Sequence, residues 1–241
     1  MDAREAERFW DEAAREHALF FVDNRLDYRN PDVERFWAGG GEAVDAMLSA
    51  VDVEVARDDV IVEIGCGVGR LTRVLADRAA RVVALDISSE MLARARELNP
   101  GLGNVEWVHG DGTTLRGVAD GSASGVFSHV VFQHLPDPAA TLGYVREMGR
   151  VLRPGGWSVF QLSTAPEVHR PGALRDRARW WARAALRRGP RRQSHPAWLG
   201  SAVDVADLRE ASSGSGMEVE RLLSPGTKFT TVLLRRPAAA R

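Results

Sequence analysis

A single cysteine, Cys66, occurs among the 241 residues, so an intramolecular disulfide is impossible and a cysteine-based metal cluster is disfavoured. Lysine is almost missing as well. Lys228 stands alone, and every other basic side chain apart from histidine is an arginine, a bias that reflects a GC-rich coding sequence as much as any demand for guanidinium groups. No apolar run approaches the roughly 20 residues that cross a bilayer, so no transmembrane segment is expected. The opening Met-Asp-Ala-Arg-Glu lacks the basic start and apolar stretch of a signal peptide; the expected location is therefore cytoplasmic. Nor is there a surplus of positive charge. A formal net charge of −1 argues against a dedicated nucleic-acid binder, and no nucleic-acid partner is expected. Internal repeats are absent too.

What is present suits one α/β domain with attached segments. With 44% hydrophobic residues the chain can bury a sizeable core. Residues 9–21 gather Phe9, Trp10, Phe20 and Phe21 on one side of a helix. Asn30-Pro31 reads as a cap and first-turn proline for a second helix, which the triple glycine 39–41 can break in two. From residue 60 onward, short apolar runs alternate with helical periods, the pattern of parallel strands and crossover helices. The expected strands are 60–64, 81–85, 105–108, a weaker 125–128, and 157–162; the helices between them are 71–79, 90–98 and 139–152. A final helix over 203–211 leads to strands 217–223 and 229–235, joined through Pro225-Gly226 as a candidate antiparallel hairpin. The fold class is thus a three-layer, Rossmann-like α/β fold with a mainly parallel seven-stranded sheet. Residues 1–54 form a helical cap, 55–241 the main domain, and about 165–200 a helical insertion after strand five. In that insertion Arg175, Arg179 and Arg183 share one stripe and Leu174, Ala178 and Trp181 another. A solvated lid, a pocket wall for an anion and a helix resting on a membrane surface all fit it.

The stretch Glu63-Ile64-Gly65-Cys66-Gly67-Val68-Gly69-Arg70 sits where a buried strand ends and a helix begins. Glycines there let backbone approach a ligand, and the helix N-terminus offers free N–H donors. Asp86 closes the second strand about 20 residues beyond the first glycine, where a carboxylate can accept both hydroxyls of a ribose; alone it would read as a cap for the following helix, but coupled to the glycine turn it reads as a ribose ligand. Two nucleoside cofactors fit this geometry. A dinucleotide fingerprint places its third glycine at the sixth position of the turn, which Arg70 occupies, so a nicotinamide dinucleotide is disfavoured and stays as an alternative.

These residues resemble the first motif of class I S-adenosylmethionine-dependent methyltransferases. Leu85 to Leu92 is similar to that family's second strand and helix, and Gly110-Asp111-Gly112, Phe127 to Pro136 and Arg150 to Gly156 follow in the family's order. The resemblance covers roughly residues 55–165. It implies that S-adenosyl-L-methionine is the cofactor and S-adenosyl-L-homocysteine the product. It implies further that Gly65 and Gly67 pass beneath the methionine part, with Glu63, Cys66, Gly69 and Arg70 completing the turn, and that Asp86 holds the ribose. Ile87 and Met91 would sandwich the adenine, Asp111 would accept from its amino group, the Gly112 backbone would meet the ring, and Ser128 would stand at the same edge. One departure concerns strand four. Family members commonly carry an aspartate early in it, where this chain reads Ala123-Ser124-Gly125.

Methyl transfer from a sulfonium chiefly requires an acceptor lone pair held in line with the S–CH3 bond. An acceptor that is protonated at neutral pH also needs a base. His134 and His129, just beyond strand four, are the catalytic candidates, with a backbone-anchoring role as the alternative for His134. No metal is expected. The acceptor is read as an oxygen or nitrogen of a small molecule or short peptide, with secondary metabolism as a class guess. A non-catalytic cofactor sensor or partner subunit is the competing reading, which a pocket closed to any acceptor would favour.

Overall fold

The computed structural model describes residues 3–166 and 200–239. The expected insertion lies outside the described residues, its edges excepted. In chain order the elements are α1 (Ala3–Val22), α2 (Val33–Ala50), β1 (Val60–Ile64), α3 (Thr72–Arg78), β2 (Arg81–Asp86), α4 (Ser89–Leu98), β3 (Val105–His109), β4 (Ala123–Ser128), α5 (Pro138–Val151), β5 (Leu152–Leu162), α6 (Val205–Gly214), β6 (Glu218–Leu223) and β7 (Thr230–Arg235). The strands form one seven-stranded sheet in the order β3-β2-β1-β4-β5-β7-β6. β1 to β5 run parallel, while β7 pairs antiparallel with both β5 and β6. After β3 the chain crosses to the other side of β1, so the order reverses between β1 and β4. Open α/β sheets form a ligand crevice at such a switch point, at the carboxyl ends of the strands.

Side-chain alternation builds a core on each face. Ile61 turns toward α2 and α3, meeting a cluster with Val44, Met47, Leu48 and Leu75. Val62 and Ile64 turn the other way, toward Val145 and Met148 of α5 and Leu208 of α6. With helices on both sides, central parallel strands read as nearly unbroken apolar runs. β4 is the exception, because its first residues are small. Gly125 leaves room for the Trp157 ring, which a Cβ would meet at 2.4 Å. Ser124 accepts a hydrogen bond from the Val60 N–H at 3.1 Å, a local role at the position where a carboxylate was missing. β4 consequently begins two residues before the apolar signal does, and β5 begins at Leu152 rather than at Trp157.

The N-terminal helices depart from expectation in detail. α2 is capped by Asp32, whose carboxylate accepts from the Arg35 N–H, and not by Asn30 with Pro31 in the first turn. The triple glycine leaves α2 unbroken, and the reason is packing. A Cβ on Gly40 would stand 2.6 Å from the Arg70 carbonyl oxygen, so the helix can lie directly on the loop after β1 only because that carbon is absent. α1 breaks its helical geometry at His17 (φ −166°, ψ 76°), whose Nδ1 accepts from the Phe20 N–H as a cap would. Its aromatic side packs with Phe36, Val68 and Met91, so the helix lies over the turn after β1 and over α4. Among the described residues no helix is long and apolar enough to cross a membrane.

Candidate functional site

A cavity of about 480 Å³ opens at the carboxyl ends of β1, β2 and β4, roofed by α1, a size that suits a small-molecule ligand. Its floor is the turn after β1. The Gly65 and Cys66 N–H groups both donate to the Leu85 carbonyl, at 2.8 and 3.0 Å, which ties the turn to β2. Gly65 and Gly67 have φ of +74° and +54°. Side chains there would collide with Val131 at 2.3 Å and Val22 at 2.8 Å. Both positions therefore need glycine for conformation and for clearance.

Asp86 ends β2 beside this turn. Its Oδ2 accepts from the Gly67 N–H and its Oδ1 from the Ser88 N–H, both at 2.8 Å. It does not cap α4; Ser88 does, accepting from the Met91 N–H. A carboxylate offers about four lone-pair sites, so two backbone bonds orient Asp86 and leave capacity for two hydroxyls. Burial raises its pKa, while the two N–H donors oppose that rise. Beyond it Ile87, Met91 and Gly112 line the cavity, and Gly112 lies so close to Ile87 that a Cβ would meet Cδ1 at 2.5 Å. A narrow apolar slot results.

At the opposite end of the floor two charged side chains are almost fully buried. Glu63 is 1% exposed and accepts from the Thr72 hydroxyl at 2.6 Å; burial pushes its carboxyl up to about 7. Arg70 is 3% exposed. Its Nη1 stands 3.5 Å from Asp23 Oδ2, and its guanidinium lies 5.6 Å from the centre of the Phe36 ring. Neither contact is a hydrogen bond, and Arg70 Nε and Nη1 are buried without one. Asp23 is instead gripped by Arg25 through Nε and Nη2, at 2.8 and 2.6 Å. Unsatisfied buried guanidinium donors are costly, and here they border a cavity.

Several site residues expected from the sequence line this cavity: Glu63, Gly65, Cys66, Gly67, Arg70, Asp86, Ile87, Met91, Gly112, His129 and His134. Three do not. Asp111 turns both carboxylate oxygens to Thr113 and Thr114, accepting from their N–H and hydroxyl groups, so the polar turn it builds competes with any adenine contact. Ser128 is fully buried and donates to the Ile64 carbonyl at 2.9 Å, clamping β4 to β1 beneath the floor. Gly69 packs under Asn99 and Trp107, each 2.8 Å from a Cβ placed there. Its small size serves the joint between the turn and α4. The sequence reading missed Asp23, Asn24 and Arg25, which close the cavity from the end of α1. A short polar run after an aromatic helix carries no signal of that placement.

The cavity continues past the β1 turn toward β4, β5 and β7. His129 is held neutral: burial, with Arg70 and Arg25 nearby, pushes it down to about 4. His134 lies in a single 3-10 turn, Phe132–His134, with its ring edge-on to Trp10 of α1 at 5.6 Å. Between the two, Val130 adopts φ +57°, a strained conformation for a β-branched residue. α1 is fastened over the whole by Asp11, which accepts from the Ser88 hydroxyl at 2.6 Å and the Glu90 N–H at 3.2 Å. Arg15 to Glu90 at 2.7 Å adds an ion pair, and His109 Nε2 stands 3.1 Å from Glu7 Oε1.

The sheet order and the layers of helices on both its faces define a three-layer, Rossmann-like α/β fold. The sequence profile described as Methyltransferase domain matches residues 62–160, the stretch that builds this floor. Over this stretch the chain is similar to class I, Rossmann-like, S-adenosylmethionine-dependent methyltransferases. It is 39% identical over 119 residues to trans-aconitate 2-methyltransferase of Azoarcus sp. (strain BH72), a match covering 48% of this chain and 43% of that protein. It is 34% identical over 115 residues to malonyl-[acyl-carrier protein] O-methyltransferase of Marinomonas sp. (strain MWYL1), over 46% of this chain and 41% of that one. The chain thus spans less than half the length of these curated relatives. Among solved structures, Haemonchus contortus phosphoethanolamine N-methyltransferase 1, in complex with phosphoethanolamine and S-adenosylhomocysteine, superposes with a TM-score of 0.68 at 18% identity. That match covers 99% of this chain and 49% of the other, and likeness at this identity is one of fold.

Proposed function

We propose that the protein transfers the methyl group of S-adenosylmethionine to an oxygen or nitrogen of a small molecule or short peptide, releasing S-adenosylhomocysteine. One observation carries the reading. The cavity runs without a break from the turn at Gly65, Gly67 and Asp86, past His129, to a second end lined by Trp10 and His134. A sensor would need only the first end. The open second end favours turnover over a binding-only role, and Arg70 at the sixth turn position disfavours a dinucleotide.

Bound there, the cofactor supplies an activated methyl on a sulfonium. The chain's part is placement. Asp86 takes the ribose hydroxyls, Ile87, Met91 and Gly112 form the adenine slot, and the unsatisfied Arg70 guanidinium takes the methionine carboxylate. Glu63 faces the methionine ammonium. α1 and α2 act as the cap that shapes the acceptor end. Where the acceptor enters protonated, His134 is the group to take the proton, because His129, at a pKa of about 4, is too weak a base near neutrality. A relative named for O-methylation and a fold neighbour named for N-methylation keep both acceptor atoms in the proposal.

Titration calorimetry with S-adenosylmethionine, S-adenosylhomocysteine and NAD tests the reading. The first two are expected to bind and NAD to fail. Asp86→Ala is expected to weaken cofactor binding at least tenfold, about 1.4 kcal/mol. Preferential binding of NAD, or an Asp86→Ala protein that binds S-adenosylmethionine as the parent does, overturns it.

A further inference from the structure

The end of the cavity beyond the turn has a composition that selects among acceptors. It is lined by Trp10, Gln133, His134, Gln161, Lys228 and Phe229. Among the described residues no carboxylate lines that end. The acidic residues bordering the cavity, Asp23, Glu63 and Asp86, lie at the cofactor end, where Arg25, Thr72, and the Gly67 and Ser88 N–H groups engage them. The chain's sole lysine sits at the acceptor end instead, on the exposed turn before β7. Gln133 is 1% exposed, and both its Nε2 and its Oε1 are buried without a hydrogen-bond partner, as is Oε1 of Gln161. Buried carboxamides facing a cavity cost free energy until a ligand pairs with them.

Resting on the methyltransferase reading, we infer that the acceptor is a carboxylic acid with an apolar body and a neighbouring hydroxyl or amide N–H, methylated on a carboxylate oxygen to give a methyl ester. Gln133 Nε2 and Lys228 face the carboxylate. The two glutamine Oε1 atoms accept from the neighbouring donor, and Trp10 and Phe229 pack on the body. In the transfer, one carboxylate oxygen forms a C–O bond to the methyl carbon while the C–S bond breaks, leaving its electron pair on sulfur. The anionic and cationic charges of the two reactants cancel, no proton moves and no base is required. Charge cancellation is favoured in an enclosed cavity of low polarity. This accounts for a site in which His129 is too weak a base to serve. An amine would arrive as a cation beside Lys228, and a phenol would have to lose a proton first.

The test has two readouts on the full chain. Protein saturated with S-adenosylhomocysteine is titrated calorimetrically with hydrocinnamate, N-acetylphenylalanine, phenethylamine and para-ethylphenol. In parallel, methyl-labelled S-adenosylmethionine is supplied with each compound, and the product is treated with mild alkali, which releases methanol from an ester alone. N-acetylphenylalanine is expected to bind most tightly, the amine and phenol to stay inert, and the label to be alkali-labile. Gln133→Leu and Lys228→Ala are expected to weaken acid binding about tenfold each while cofactor affinity is kept; Lys228, being exposed on a turn, can be changed without disturbing the core. Acids that fail to bind, acids that bind without yielding an alkali-labile methyl, methylation of the amine or phenol with the acids inert, or variants that bind acid as the parent does would each overturn the inference. Failure of S-adenosylhomocysteine itself to bind would instead overturn the methyltransferase reading.

Discussion

Glu63 shows how one buried residue couples the site to the stability of the fold. Its carboxyl is raised from 4.5 to about 7 by burial, so the folded protein binds a proton there that the unfolded chain releases more readily. A raised pKa stabilises most below 4.5, and that contribution is lost as pH climbs through 7. Glu63→Gln keeps an acceptor for the Thr72 hydroxyl and removes the titration. The variant is expected to match the parent's unfolding free energy below pH 4.5 and to exceed it above pH 7 by on the order of 2–3 kcal/mol, read from urea curves across that range. Equal pH dependence in the two proteins would count against the buried acid. At this scale the sequence was informative where a residue acts through its own chain neighbours. The glycines of the turn and the carboxylate of Asp86 lie at positions that spacing alone can assign. It was uninformative where neighbours come from afar. Nothing near Asp23 announces Arg70, and nothing local distinguishes Asp111 reaching for a base from Asp111 folded back on Thr113 and Thr114.

Among the elements, α2 and α1 do opposite things to the floor of the cavity. α2 presses on it. Gly40→Ala would gain about 1 kcal/mol of helix preference, yet its Cβ would stand 2.6 Å from the Arg70 carbonyl. That carbonyl can move only by shifting the cofactor turn. Overpacking of this kind costs about 1–3 kcal/mol, so net destabilisation and weaker cofactor binding are expected. Gly41→Ala, with nothing within 4 Å of its Cβ, should be neutral or stabilising in the same denaturation assay. α1 holds on from above through Asp11. Asp11→Ala leaves the Glu90 N–H and the Ser88 hydroxyl without that acceptor and is expected to cost about 1 kcal/mol, the usual value of a lost cap. Faster cofactor dissociation in stopped-flow should accompany it. Both roles explain why the triple glycine misled a reading based on helix preference. The penalty is local and visible in sequence, whereas the close approach that offsets it depends on a loop some 30 residues away.

For the whole molecule, the succession of strands and helices was legible from periodicity, except between β3 and β4, which no helix separates, and the last two strands were legible as a pair because they too lack a helix between them. The order β3-β2-β1-β4-β5-β7-β6 is set by tertiary pairing that periodicity does not encode. β4 was legible only in part, since its small residues serve Trp157 and Val60 rather than a continuous apolar face. Because the cavity proposed to hold the cofactor is built from loops of β1, β2 and β4 together with α1, ligand binding should stabilise the fold as a unit. Cofactor at 100 times its Kd is expected to add about 2.7 kcal/mol, a rise in Tm of roughly 5–10 °C for a chain of this length, measurable by calorimetric scanning. A melt insensitive to saturating S-adenosylmethionine would contradict that coupling.

The reversed direction of β7 has its own effect on how this protein can diversify. Five strands finish at the rim of the crevice, while β7 starts there, Thr230 pairing with Leu162 and Thr231 with Gln161. The bend that delivers Lys228 and Phe229 therefore arrives from the far side of the sheet, with no share in the loops after β1 and β2 that floor the cavity. Lengthening or rewriting that bend should retune which molecules are accepted while the donor's berth stays intact, giving evolution, or an engineer, a separate dial for selectivity.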